Sequence, residues 1–155
     1  MNNKIVRYFE DVVPGMSVEF GRYLMSEEEI VAFARAYDPQ PFHVSREAAR
    51  NSVVGELIAS GWHTCAVAMR MIVDHFYPAE SALASPGVDE IRWLIPVRPG
   101  DELSVRLTVV DARESRSKPD RGILRIRTEV FNQRHETVLT FISTNFMRKG
   151  LIISR

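Results

Sequence analysis

Asp38 and His43 stand five residues apart in the run Asp38-Pro39-Gln40-Pro41-Phe42-His43. A carboxylate and an imidazole that share one water can pass a proton in either direction near neutral pH. The two prolines stiffen the segment, so both side chains can be aimed at one point with little ordering cost left. The same spacing also allows a plainer arrangement, with Asp38 capping the loop backbone and His43 at the surface. A second feature, Ser60-Gly61, opens a strongly apolar run. If that run is a helix, its first amides lack internal partners and lie at the positive end of the helix dipole. Glycine permits close approach to that backbone. A carbonyl oxygen placed there would have its developing negative charge stabilised. The alternative is that Ser60 is only a cap and Gly61 only relieves crowding.

Other residues carry weaker signals. His63, one turn into the apolar run, could reach the same site, but a hydrogen-bonded core histidine is the better expectation. Trp62 and Trp93 either line a pocket or pack the core. Cys65 has no basic neighbour in sequence to lower its pKa, so an inert core thiol is expected. There is no metal-ligand spacing, no GxSxG and no phosphate-binding glycine loop.

These residues need elements to hold them. Phe9 to Gly15 reads as an entry loop ending in the turn pair Pro14-Gly15. Ser17 to Leu24 reads as a first strand. Ser26 and Glu29 form a capping box, and Ile30, Phe33, Ala34 and Tyr37 follow at helical spacing on one apolar face. Pro39 and Pro41 cannot continue that helix, so Asp38 to Val44 is expected as a stiff loop. Ser45 can cap a short helix through Arg50. From about Ser60 to Tyr77 the chain is apolar nearly all round, which predicts a helix buried nearly all round. Val88–Leu94, Glu102–Val110, Gly122–Asn132 and Thr137–Met147 read as strands. Their links are Pro96 to Asp101, Ser115 to Arg121, and a short turn over Asn132 to Glu136. The order is α+β: one curved antiparallel sheet wrapped around a central buried helix. The tail from Gly150 to Arg155 is expected to fray.

The bulk numbers set limits on function. A chain of 155 residues fits one domain, 1–155, with a core over about 9–147 and a tail over 148–155. Hydrophobic residues make up 45% and charged residues 26%, an ordinary globular balance. Twenty basic residues meet twenty acidic ones, so no global charge favours nucleic acid or an anionic membrane. The longest weakly charged apolar stretch, residues 57–69, is shorter than the ~20 residues a membrane span needs. The first residues carry no apolar signal-peptide core. The single cysteine, Cys65, excludes an internal disulfide and fits a reducing compartment, so a cytoplasmic location is expected.

Three separated motifs resemble those of the MaoC-like dehydratases, which include the (R)-specific enoyl-CoA hydratases. They are Tyr37-Asp38-Pro39-Gln40-Pro41-Phe42-His43 with Ala49 beyond it, Leu57-Ile58-Ala59-Ser60-Gly61-Trp62-His63-Thr64, and Pro96-Val97-Arg98-Pro99-Gly100-Asp101. The similarity runs from about Phe9 to Met147. It implies a hot-dog fold and a hydro-lyase acting on a 2-enoyl or 3-hydroxyacyl thioester. No metal or organic cofactor is implied, coenzyme A entering only as part of the substrate. By the resemblance, Asp38 and His43 are the catalytic pair. The Gly61 amide, at the turn it shares with Ser60, polarises the thioester carbonyl. Pro41, Phe42, Trp62 and His63 are candidates for the substrate pocket. A two-fold dimer, or a multiple of it, is implied, with sites at the interface. The chain departs from the family's usual asparagine at Gln40 and its usual histidine at Ser60. It also lacks the hydratases' serine in Ala66-Val67-Ala68-Met69. The loop Arg113 to Arg121 could meet coenzyme A phosphates or be a solvated hairpin loop. A hot-dog acyl-CoA thioesterase and a non-catalytic acyl-thioester-binding module are the rival readings.

Overall fold

A computed structural model describes residues 6–150. After a 3-10 turn at Phe9–Asp11, the elements are β1 (Ser17–Leu24), α1 (Glu27–Tyr37), α2 (Pro41–Val44), α3 (Arg46–Arg50) and α4 (Gly61–His75). The strands β2 (Gly87–Trp93), β3 (Glu102–Glu114), β4 (Arg121–Phe131) and β5 (Thr137–Arg148) follow. They form one antiparallel sheet in the order β1-β3-β4-β5-β2. A sheet of this kind laid on a central helix is the hot-dog arrangement, and the α+β order expected from the sequence is the one observed.

The alternation in the strands builds the core. Leu103, Val105, Leu107 and Val109 of β3 turn inward, as do Leu124, Ile126 and Val130 of β4. They meet Val67, Ala68, Met71 and Ile72 of α4 in one cluster. Gly21 of β1 sits at a bulge with φ +84°, and a Cβ there would lie 2.5 Å from the Met71 sulfur. A side chain at that position would hold α4 off the sheet. β3 runs four residues past the expected Val110, because a bulge after Val109 lets the polar run Asp111–Glu114 keep pairing with β4.

Three expectations need correction. Pro41 does not keep its segment a loop. It takes the first position of α2, where a missing N–H costs nothing and the fixed φ suits a helix. The apolar face of α1 ends before Tyr37, which is 77% exposed, while Ile30 and Ala34 are fully buried. Nor is α4 buried all round. Trp62, Ala66, Met69 and Val73 are exposed at helical spacing, because a five-stranded sheet covers only one side of the helix. The fraying expected at the C-terminus lies largely outside the described residues. Gly150, which is described, donates its N–H to Glu10 Oε2 at 3.0 Å.

Candidate active site

Asp38 caps the C-terminus of α1, its N–H bonded to Ala34 O at 2.8 Å. The turn tightens at once, with Gln40 N–H on Asp38 O at 2.8 Å and His43 N–H on Gln40 O at 2.9 Å. That places His43 in the last turn of α2, buried rather than at the surface. The extended stretch before α4 is stitched on both sides. Ile58 N–H donates to Phe42 O at 3.0 Å, and Ala59 N–H to Val97 O at 2.8 Å. Val97 belongs to the turn Pro96–Asp101. Buried Asp101 holds that turn by accepting from Arg98 N–H at 2.8 Å and the Gln133 side chain at 2.9 Å. Three distant motifs are thus tied into one frame.

Within that frame Asp38 Oδ2 lies 3.4 Å from His43 Nε2. Ser60 Oγ donates to Asp38 Oδ2 at 2.7 Å, and Gln40 Nε2 donates to Asp38 Oδ1 at 2.8 Å. These two bonds, Ser60's first, hold the Asp38 carboxyl below its ordinary pKa, because both favour the charged form. The two positions where the chain departs from the family pattern, Gln40 and Ser60, are therefore the two donors to the aspartate. His43 Nδ1 lies 2.7 Å from Ile58 O. A carbonyl can only accept, so Nδ1 carries the hydrogen and Nε2 of the neutral ring faces Asp38 as an acceptor. A water that gave one hydrogen to each would satisfy both acceptors.

Ser60 caps α4, accepting from Trp62 N–H at 3.3 Å. Among the described residues, the Gly61 N–H meets no acceptor. A cavity of about 340 Å³ joins Asp38, Gln40, His43, Gly61 and Trp62 to Thr64, Trp93 and an apolar wall from Ile58, Ile95, Val97 and Val138. Ser60 is fully buried behind Asp38 and does not line it. Of the pocket candidates, Trp62 borders the cavity, whereas Pro41, Phe42 and His63 do not. Phe42 sets its ring edge-on to His43, with centroids 4.5 Å apart. His63 stacks on Phe33 at 4.7 Å with its Nδ1 buried and unpartnered, so it is a core histidine without the hydrogen bond expected of it there. Burial pushes the Cys65 thiol pKa up, in keeping with an inert thiol. No residue of the Arg113–Arg121 loop lines the cavity.

The role of Gln40 is missing from the sequence reading, although a side-chain donor two residues after a carboxylate is a signal in itself. The sequence leaves Trp93 between core and pocket, and the structure puts it at the pocket. It stands directly over Gly61, where a Cβ would come within 2.4 Å of its ring. No local spacing could foretell that contact, since the two residues are 32 positions apart.

The geometry can be set beside known proteins. The MaoC-like domain family matches residues 10–130. The MaoC-like dehydratase from Rhodospirillum rubrum is 38% identical and superposes with a TM-score of 0.88 over 95% of this chain and 100% of that one. The unliganded (R)-hydratase PhaJ1 of Pseudomonas aeruginosa is 22% identical, with a TM-score of 0.73 over 92% of this chain and 86% of that one, a likeness of fold. Mesaconyl-CoA hydratase of Cereibacter sphaeroides is 39% identical over 69 residues, which are 44% of this chain and 20% of that protein. The family match spans the aspartate, the histidine, the α4 glycine, the strands β1 to β3 and all but the last residue of β4, and with it the chain belongs to the MaoC-like family of hydratases and dehydratases.

Proposed function

We propose that this chain reversibly hydrates a 2-enoyl thioester of coenzyme A to the 3-hydroxyacyl thioester. The observation that carries this is the 3.4 Å approach of Asp38 Oδ2 and His43 Nε2 at a cavity also lined by Gly61. A water bound beside the pair donates one hydrogen to each group and presents its oxygen to the β-carbon. As that oxygen bonds to carbon, His43 Nε2 takes the proton. Ser60 and Gln40 oppose protonation of Asp38, which remains a carboxylate and steadies the imidazolium. The electrons of the double bond move onto the thioester oxygen, where the Gly61 N–H stabilises the enolate-like charge. His43 then gives its proton to the α-carbon, and both residues return to their starting states. Loss of the conjugated absorbance of an enoyl-CoA, with no free thiol appearing, tests this. Thiol release would instead mark a thioesterase, and binding without either change a non-catalytic module.

The functional unit is a two-fold dimer or a multiple of one. The exposed stripe on α4 meets the half-exposed Trp93 through Trp62, Val88 and Leu94 are exposed as well, and β2 is an edge strand of the sheet. Apolar surface next to an open edge favours a second copy. Light scattering should give a mass of at least two chains at micromolar concentration, and a monomer would contradict it. No helix among the described residues is long and apolar enough to cross a membrane. The single cysteine fits a reducing compartment and supports a cytoplasmic location.

A further inference from the structure

We infer that Trp93 is a wall restricting the acyl group to short, uncharged chains, a reading that rests on the proposed hydratase site. Position is the first argument. A Cβ built on Gly61 would lie 2.4 Å from both Cε2 and Nε1 of Trp93, so the indole stands on the backbone whose N–H receives the thioester oxygen. The ring also lies beside the Cys65 thiol, one turn further along α4. An acyl chain leaving the Gly61 amide along this face meets the ring within a few atoms. The indole packs edge-on against Trp62 at 5.3 Å, and the backbone just after it is tied by Leu94 N–H to Val138 O at 2.9 Å.

Size and charge agree with this. About 340 Å³ is near the floor of the roughly 300–1,000 Å³ usual for small-molecule sites, and the reacting carbons and the water must fit in it too. Among the described residues, Asp38 and His43 are the only acidic or basic side chains lining the cavity, and both stand at the reacting end. The rest of the wall offers no cation, so a carboxylate at the far end of the acyl group would be buried unpaired.

The test is a ladder of 2-enoyl-CoA substrates of four, six, eight and ten carbons. It is run on the wild type, on Trp93→Ala and on the milder Trp93→Phe, which keeps a ring where alanine fails to fold. The wild type should favour four carbons over eight by at least about tenfold in kcat/KM, and Trp93→Ala should cut that ratio by at least about tenfold. A four-carbon enoyl-CoA bearing a terminal carboxylate should be turned over at least about tenfold less well than the uncharged one. Wild-type turnover indifferent to length, or unchanged ratios in both variants, would overturn the wall. So would equal use of the carboxylate-bearing substrate. Calorimetric binding of butanoyl-CoA and octanoyl-CoA separates this from the hydratase reading. If no enoyl-CoA is hydrated, a preference for butanoyl-CoA that Trp93→Ala abolishes still supports the wall, and equal binding refutes it.

Discussion

The two ends of the cavity are built on opposite lines. At the Asp38 end every polar side chain has a partner from the same chain. Ser60 and Gln40 serve the carboxylate, Ile58 O fixes the imidazole, and short backbone bonds fix the turn between them. At the Trp93 end the surface is apolar and open, with Trp62 and Trp93 about half exposed and the α4 stripe continuing from them. Chemistry that moves a proton needs fixed distances, and the closed end supplies these from the Asp38–His43 turn and the Ile58–Ser60 stretch that crosses it. Selection of the acyl group needs only shape. Shape can be set by residues from distant strands and, in a dimer, from a second copy.

The sharpest way to break the comparison is at the closed end. His43→Ala should lower turnover by about 10²–10⁴-fold while leaving the fold intact. Combining it with Asp38→Asn should add little, since the two handle one water as a unit. Steady-state kinetics on the single and double variants checks this. Fully additive losses would mean that the two residues act separately.

Gly61 lies where the two ends meet. Its replacement by valine should obstruct the α4 amide and also collide with the Trp93 ring, so both activity and stability should fall, the latter by about 1–3 kcal/mol. In Gly61→Val/Trp93→Ala the collision partner is gone, so melting should largely recover while turnover stays low. Recovery of turnover with melting would make Gly61 a packing residue only.

A smaller effect is expected at Ser60. Its hydroxyl is the larger cause of Asp38's lowered pKa, so Ser60→Ala should let that pKa rise toward the ordinary carboxylate range. The pH at which the Asp38 carboxyl takes up a proton, read by carbon NMR of the labelled protein, should move up. An unmoved carboxyl titration would show that the Ser60 hydroxyl does not hold Asp38 in its charged form.

Much of this was open to a reading of the sequence. The Ser26 cap of α1, the strand β1 and the alternation in β3 and β4 are local patterns, and local patterns predict local structure. The closeness of Asp38 and His43 was foreseeable for the same reason, because five residues and two prolines leave few ways to place them. Partnerships at long range were not. Ser60 reaches Asp38 across 22 positions, and Trp93 reaches Gly61 across a whole helix. The exposure of one side of α4 was hidden too, since periodicity tells how apolar a helix is and not what will cover it.

The smallest predicted effect concerns His63, outside both ends. Burial lowers its pKa in the folded chain, so the unfolded chain binds the proton more tightly. Stability is therefore full above the unfolded value of about 6.5 and declines as pH falls below it. Thermal melts at pH 7.5 and 5.5 should show this decline, and His63→Leu should lessen it. An equal decline in the variant would assign it to other groups.

In the proposed reaction one water supplies the β-hydroxyl and the α-proton. The wild-type protein, given a short 2-enoyl-CoA in deuterated water, should yield a 3-hydroxyacyl-CoA with a hydroxyl at the β-carbon and one deuterium at the α-carbon. Mass spectrometry of the intact thioester reads both. Asp38→Asn should form this product about 10²–10⁴-fold more slowly. An Asp38→Asn protein that labels the substrate at the wild-type rate, or a wild type that releases free coenzyme A instead, would contradict it.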